Sequence, residues 1–393
     1  KKYTTGAGTP TAVASSLTWE TVTTLDFGFD ARLFSDKLGI TFDWYRRNTK
    51  DILSTGETLP ATFGGTAPKQ NFGELETPGW ELTVDFNHQF SNGLRLNIIG
   101  QLTDYKTRVK KWNSAAKTIP SYNNWTVSTS YFEGMVLGDI WGYQVDRLFQ
   151  EDDFTKNGDQ YVLKEGIPKQ TILESGTFFF EPGDVKYKNL DDDATQISYG
   201  DNTADSHGDK AILGNTLPRY QFSLRLGAAW KNFDFDVYFQ GVGKRSLWVG
   251  GNLALPGYTS GEPWFEGQED YWTPENTDAF YPQPTVYAQA MKWNYQVNDR
   301  FLLNMAYLRC KTMTLGYTFP KNLLNKIYLS NLRVYVTGEN LFEFTDKNLP
   351  IDPETDITIG KNFTTGKDAS DSRNYGRSYP YQRVVSVGLQ LSL

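Results

Sequence analysis

The sequence predicts an all-β protein, a transmembrane antiparallel β-barrel with long extracellular loops. Three observations carry that prediction. Apolar and polar residues alternate with a period of two in segment after segment, the connections between segments alternate short and long, and aromatic residues, 15% of the 393, gather at segment ends.

Composition sets the frame. Eleven Trp, 23 Tyr and 35 Gly favour strands and turns. Mean hydropathy is −0.52, and no run approaches the roughly 20 apolar residues of a spanning helix. That excludes a helical membrane protein but not a barrel, whose strands average lipid-facing apolar residues with lumen-facing polar ones. The net charge of −7 argues against a nucleic-acid partner, which needs a basic surface. Cys310 is the single cysteine and reads as a packing residue.

Nine spanning strands follow in order. In 18–34, Leu25, Phe27, Phe29, Ala31 and Leu33 alternate with Asp26, Gly28, Asp30 and Arg32. The next, 38–53, is less regular because Arg46 and Lys50 interrupt its apolar face. Trp80, Leu82, Val84 and Phe86 define 77–90 against Glu81, Thr83 and Asp85, and Leu94, Leu96, Ile98 and Leu102 define 94–107 against Arg95, Asn97 and Gln101. Phe222, Leu224 and Leu226 mark 219–231, and Phe233, Phe235, Val237 and Phe239 mark 233–247 around Asp234 and Asp236. Arg309 and Lys311 interrupt 301–319, where a bulge or a strand rising above the bilayer is expected. Leu332, Val334 and Val336 flank Arg333 in 330–345, and Val385, Val387, Leu389, Leu391 and Leu393 alternate through 381–393.

Short turns at 35–37, 91–93 and 231–232, with a moderate one at 320–329, interleave with long segments at 54–76, 108–218, 248–300 and 346–380. Outer-membrane barrels have short periplasmic turns and long extracellular loops. Trp19 and Trp80 fall at long-loop ends and Phe90, Trp230 and Phe319 at short-turn ends, as interfacial girdles require. The competing soluble sandwich would have to accommodate the charges on the other strand faces. An odd strand number whose first strand descends from the long-loop side predicts one barrel domain with earlier strands upstream. The opening Lys1-Lys2-Tyr3-Thr4-Thr5 agrees, having no apolar leader core.

On the polar faces, Asp26, Asp30, Glu81, Asp85, Arg95, Asp234, Asp236 and Arg333 are expected to line the lumen. The 248–300 loop interleaves Trp264, Phe265, Tyr271, Trp272, Trp293 and Tyr295 with Glu262, Glu266, Glu269 and Asp270. Aromatic faces stack on sugar C–H groups and carboxylates accept hydroxyl hydrogen bonds. Trp264, Tyr271, Trp272, Trp293, Tyr295, Glu266 and Asp270 are therefore the substrate-binding candidates, with packing of the loop on itself or on a partner as the alternative. Asn189, Asp191 and Asp193 have the alternate spacing of a calcium loop, yet Ala194 and Gly200 stand where an EF-hand needs Gly and Glu. No cofactor is expected, Asp191 and Asp193 being weak cation candidates. Gly241-Val242-Gly243-Lys244-Arg245-Ser246 lacks the spacing of a phosphate loop and reads as a strand end. His88, on the lipid-facing register, and His207, in a loop, have no nucleophile pattern around them, so no enzyme is expected.

Several stretches resemble SusC/RagA-type TonB-linked transporters of the Bacteroidetes. They are Leu17-Thr18-Trp19-Glu20 with Leu25-Asp26-Phe27-Gly28, the run Gly39 to Asp51, Gly183 to Leu190, Tyr271-Trp272-Thr273-Pro274-Glu275-Asn276 and Leu315 to Pro320. Most specific is Leu332-Arg333-Val334-Tyr335-Val336-Thr337-Gly338-Glu339-Asn340-Leu341-Phe342, followed by Asp352-Pro353-Glu354. The resemblance implies the C-terminal part of a 22-stranded, plugged outer-membrane barrel, coupled to a TonB complex and capped by a SusD-like lipoprotein. Its implied activity is import of oligosaccharides, with peptides as the alternative. An adhesin or enzyme barrel, and a soluble all-β carbohydrate-binding protein, are the rival classes.

Overall fold

A computed structural model describes residues 13–15, 17–55, 62, 68–114, 116–120, 122–123, 126–127, 130–158, 160–173, 179–258, 263–285, 293–354 and 381–392. Glu262, Leu393 and most of the 346–380 segment lie outside them. Nine strands pair in chain order in one antiparallel sheet: β1 (Thr21–Leu33), β2 (Leu38–Thr55), β3 (Lys69–Gln89), β4 (Arg95–Tyr105), β5 (Arg219–Trp230), β6 (Phe233–Lys244), β7 (Tyr307–Thr318), β8 (Asn331–Glu339) and β9 (Val384–Ser392). Arg108–Lys111 extends the sheet beside β3, and Glu343–Thr345 beside β7.

Pairing register decides which residues share a face, because directly opposed side chains point the same way. Phe29, Phe42, Leu82, Leu102 and Phe222 oppose one another in sequence across β1 to β5. One residue along, Asp30, Thr41, Thr83, Gln101, Ser223 and Gln240 form the matching row on the other face. Alternation in the sequence thus becomes two continuous surfaces of opposite character. Nothing packs over much of the apolar one: Phe27 is 63% exposed, Phe233 53% and Val387 75%. Such a surface far exceeds the apolar patches that water-soluble proteins tolerate and suits hydrocarbon. The sandwich alternative fails here, since no second sheet covers these side chains among the described residues.

Local chemistry explains where strands differ from the periodic pattern. β3 begins at Lys69, well before 77, because Pro78 and Gly79 hide its continuity in the sequence. In β7, Tyr238 opposes Thr312 while Phe239 opposes Cys310, so Lys311 is the extra residue of a bulge. A second register slip lies between Thr49 and Ile52, where Asp51 adopts φ +58°. Residues 301–306 do not enter β7; Phe301 and Met305 are buried with the loops instead. The β7–β8 connection holds a short helix, α1 (Lys321–Leu324), rather than a plain turn.

The long segments are not solvated loops. Asp139–Tyr143 pairs with Lys210–Asn215, Val145–Leu148 with Val185–Tyr187, and Phe154–Asn157 with Gln160–Leu163. Segments 108–218 and 248–303 meet in a single apolar core that includes Phe149, Val185, Ile197, Val249, Leu255 and Phe301. This loop module sits at the long-connection end of the wall.

Candidate functional site

Two surfaces bear on function, the polar face of the wall and a cavity in the loop module. Register places all eight predicted polar-face residues together, opposite the Phe27 and Phe29 side. The partners of several are supplied by the wall itself. Arg32 Nη1 lies 2.7 Å from Asp85, Arg225 Nε 2.8 Å from Asp236, and Arg333 Nη2 2.5 Å from Asp234. Thr41 Oγ1 donates to Asp30 at 2.6 Å. Asp26, Glu81 and Arg95 have no ion pair among the described residues, and Arg95 borders a concavity of about 570 Å³ with Asn97, Asp234 and Asp236. Alternation signals a polar face but not which strand answers which charge, so Arg32 and Arg225 escaped the sequence reading as partners.

Between wall and module lies a buried charge cluster. Arg309, 3% exposed at its side chain, pairs with Glu343, Asp352 and Glu354, and Lys311 Nζ reaches Glu354 at 3.0 Å. Tyr307 donates its hydroxyl to Glu354 at 3.1 Å, and the Tyr381 ring lies 5.3 Å from the Arg309 guanidinium. Although burial opposes it, the Glu354 N–H and the Arg309 guanidinium hold the Asp352 carboxyl below the usual carboxylate range. The two basic residues that break the alternation in β7 therefore bind the Asp352-Pro353-Glu354 motif and fasten the chain leading into it, 343–354, to the wall.

That fastened segment helps enclose a cavity of about 830 Å³. Its walls come from Phe265, Glu266, Gln268 and Asp270, from Phe280, Tyr281 and Arg300, and from residues 346–350. Of the predicted substrate-binding residues, Glu266 and Asp270 line it. Trp264, 38% exposed, packs edge-on against Tyr271 at 5.9 Å on the module surface. Trp272, Trp293 and Tyr295 are instead buried in the module core, which withdraws their faces from any ligand. Trp272 packs where Gly183 leaves room: a Cβ there would sit 2.5 Å from Trp272 Cε3, and Gly183 has φ +92°. The Tyr295 hydroxyl donates to the Pro256 carbonyl at 3.0 Å.

Next to Gly183, Asp184 ties the two halves of the module together. Asn294 Nδ2 donates to its carboxylate at 2.7 Å and the Glu181 N–H at 2.8 Å, while Asn294 Oδ1 accepts from the Val185 N–H at 2.7 Å. Burial outweighs these bonds and pushes the Asp184 carboxyl up to about 7.

The remaining motifs have structural work. Asp191 and Asp193 accept N–H bonds from residues 193 and 195, and the Ser198 hydroxyl donates to Asp191 at 2.7 Å. Buried Asp209 takes the N–H groups of Leu190, Asp191 and Ser198. No cluster of three or more metal-ligating side chains occurs among the described residues. Gly241 and Gly243 lie within β6, and a Cβ on Gly241 would meet the Phe222 ring at 2.4 Å. His88 packs edge-on to Phe90 at 4.5 Å on the apolar face, and His207 against Trp141 at 5.5 Å.

With this geometry in place, similarity to known proteins becomes informative. No family model matches the chain. It is 27% identical over 382 residues, 96% of its length, to TonB-dependent receptor P3 of Formosa agariphila. To TonB-dependent receptor SusC of Bacteroides thetaiotaomicron it is 23% identical over 98% of its length. The chain spans about a third of the length of these curated relatives. Among solved structures, that of the RagAB peptide transporter matches with a TM-score of 0.64 and 18% identity, covering 96% of this chain and 36% of that one. Nine meandering strands with one face made for lipid, end-to-end similarity to these receptors, and a shared fold lead to one assignment: the chain is part of a bacterial outer-membrane β-barrel similar to the SusC/RagA-like TonB-dependent receptors.

Proposed function

We propose that this chain is the C-terminal part of an outer-membrane importer that draws oligosaccharides through a plugged barrel, energised by a TonB complex and capped by a SusD-like surface lipoprotein. The observation that carries the reading is the segregation of the wall into an uncovered apolar face and a charged face, with a cavity-bearing module at its long-connection end. A wall of this kind separates lipid from a polar conduit, and the module stands where solute would enter from outside. No bond is made or broken.

Oligosaccharide is favoured because the cavity combines the rings of Phe265, Phe280 and Tyr281 with the carboxylates of Glu266 and Asp270. A peptide cargo is the second reading, favoured by the mixed charges of the same cavity and by the likeness to the RagAB peptide transporter. Uptake of labelled oligosaccharides and labelled peptides into cells with and without the complete gene separates the two. Loss of oligosaccharide uptake on deletion is expected; uptake of both classes unchanged by deletion would refute import altogether.

A further inference from the structure

Most partly or fully buried arginines of the module and its junction have a carboxylate. Arg147 is paired with Asp153, Arg219 with Asp104, and Arg309 with Glu343, Asp352 and Glu354. Arg300 has none. It lines the 830 Å³ cavity, half-buried, with no ion pair among the described residues.

Its guanidinium is nevertheless held in place. Nε donates to the Phe280 carbonyl at 2.8 Å, Nη2 donates to the Ala279 carbonyl at 2.7 Å, and the group lies 5.3 Å from the Phe280 ring centroid. Two carbonyls and a ring therefore fix the plane of the fork. Nη1 has no acceptor among the described residues, and it is absent from the side-chain atoms that are both sealed from solvent and unbonded. It therefore keeps some exposure, in a residue that lines the cavity. Asp278, Asp270 and Asp299 act on it only at longer range, none within ion-pair distance; Asp270 is turned to Asn276 Nδ2 and the Phe280 N–H, and Asp299 to the Val145 N–H.

A fixed, half-desolvated guanidinium with a free N–H edge and no direct ion pair among the described residues is built for a planar anion. Resting on the import reading above, we infer that Arg300 docks a carboxylate of the transported solute. In an oligosaccharide that group is a uronic acid; in a peptide it is the C-terminus. The chemistry is the same, and the source is a matter for the test.

The purified full-length receptor is titrated with tetragalacturonic acid, its methyl ester, a neutral tetrasaccharide, and a tetrapeptide as free acid and as amide. The wild-type protein is expected to bind the uronic acid at least tenfold more tightly than its ester, and Arg300→Gln to abolish that preference, the neutral sugar measuring any general loss of binding. The wild-type comparison of acid with ester needs no variant, so misfolding of Arg300→Gln does not shield the inference. If neither acid is preferred over its ester or amide, the docking role is overturned while import stands on the uptake assay. If only the peptide acid shows the Arg300-dependent preference, the docking role stands and the oligosaccharide reading falls.

Discussion

The wall and the loop module solve opposite solvation problems with the same residue types. In the wall, Phe27, Phe29 and Leu389 point outward and the charges lie on the opposite face; in the module, Phe149, Trp272 and Phe301 point inward and the acids Asp153, Asp184 and Asp209 are tied down by hydrogen bonds. The wall has no core of its own, since one sheet has none to make. The module has one, and it forms from segments over a hundred residues apart. Hydrophobicity thus reports the solvent that each surface meets, not depth within the protein.

The largest expected effects break this contrast at its two buried points. Trp272→Ala should cost about 3–5 kcal/mol, the range for emptying a large aromatic site in a packed core. Hydrogen exchange should then rise through 145–187 and 248–303 while β4 to β6 stay protected; equal loss in the wall would show that module and wall are one cooperative unit. Arg309→Leu strands three carboxylates and should also cost about 3–5 kcal/mol. Its readout is different, a lower temperature for the shift in gel mobility on unfolding and faster proteolysis after Glu339.

The reverse experiment comes next. Phe29→Arg should destabilise by about 2–4 kcal/mol if that face meets the bilayer midplane, whereas Asp30→Asn, one residue along, should be nearly silent. Refolding into lipid vesicles under a urea gradient measures both. Comparable costs at the two positions would mean that Phe29 does not face hydrocarbon.

How legible each region is in the sequence follows from the same contrast. A wall between two solvents writes its faces as strict alternation, so Phe27 to Leu33 and Val385 to Leu391 announce their strands. A loop core has no period. Trp272, Trp293 and Tyr295 therefore look like ligand-stacking residues until packing shows them buried, and 301–306 looks like the start of a strand although Phe301 and Met305 belong to the module. Arg300 has no signature at all, because its partners are backbone carbonyls. Glu266 and Asp270 were legible only as acids among aromatics, and the fold is what brings them to one cavity.

A pH titration sharpens the module side. Asp184 titrates near 7 in the folded protein and near 3.8, its ordinary value, when unfolded. The folded state therefore holds the extra proton between those values, so stability declines as pH rises from about 4 to about 7 and is flat above. Partial solvent access and two N–H bonds limit the effect, which should be up to about 2 kcal/mol. Asp184→Asn should flatten the slope of module stability over that window, as measured by exchange at residues 181–187. A slope that persists in the variant would assign it to another group.

The smallest effect probes what fills the concave side. Arg225 and Asp236 form a cross-strand pair with the arginine 55% exposed. Left facing water, such a pair is worth about 0–1 kcal/mol and weakens with salt. In a complete receptor whose lumen is plugged, the same pair would be desolvated, and removing one partner would cost about 3–5 kcal/mol. A double-mutant cycle with Arg225→Ala and Asp236→Ala, run in low and high salt on the full-length protein, therefore reads the local environment. Coupling below about 1 kcal/mol that salt erodes means a hydrated lumen at this height; large, salt-insensitive coupling means that a plug seals it. The first outcome is expected, because Asp236 borders the open concavity near the short-turn end of the wall and its partner Arg225 is more than half exposed.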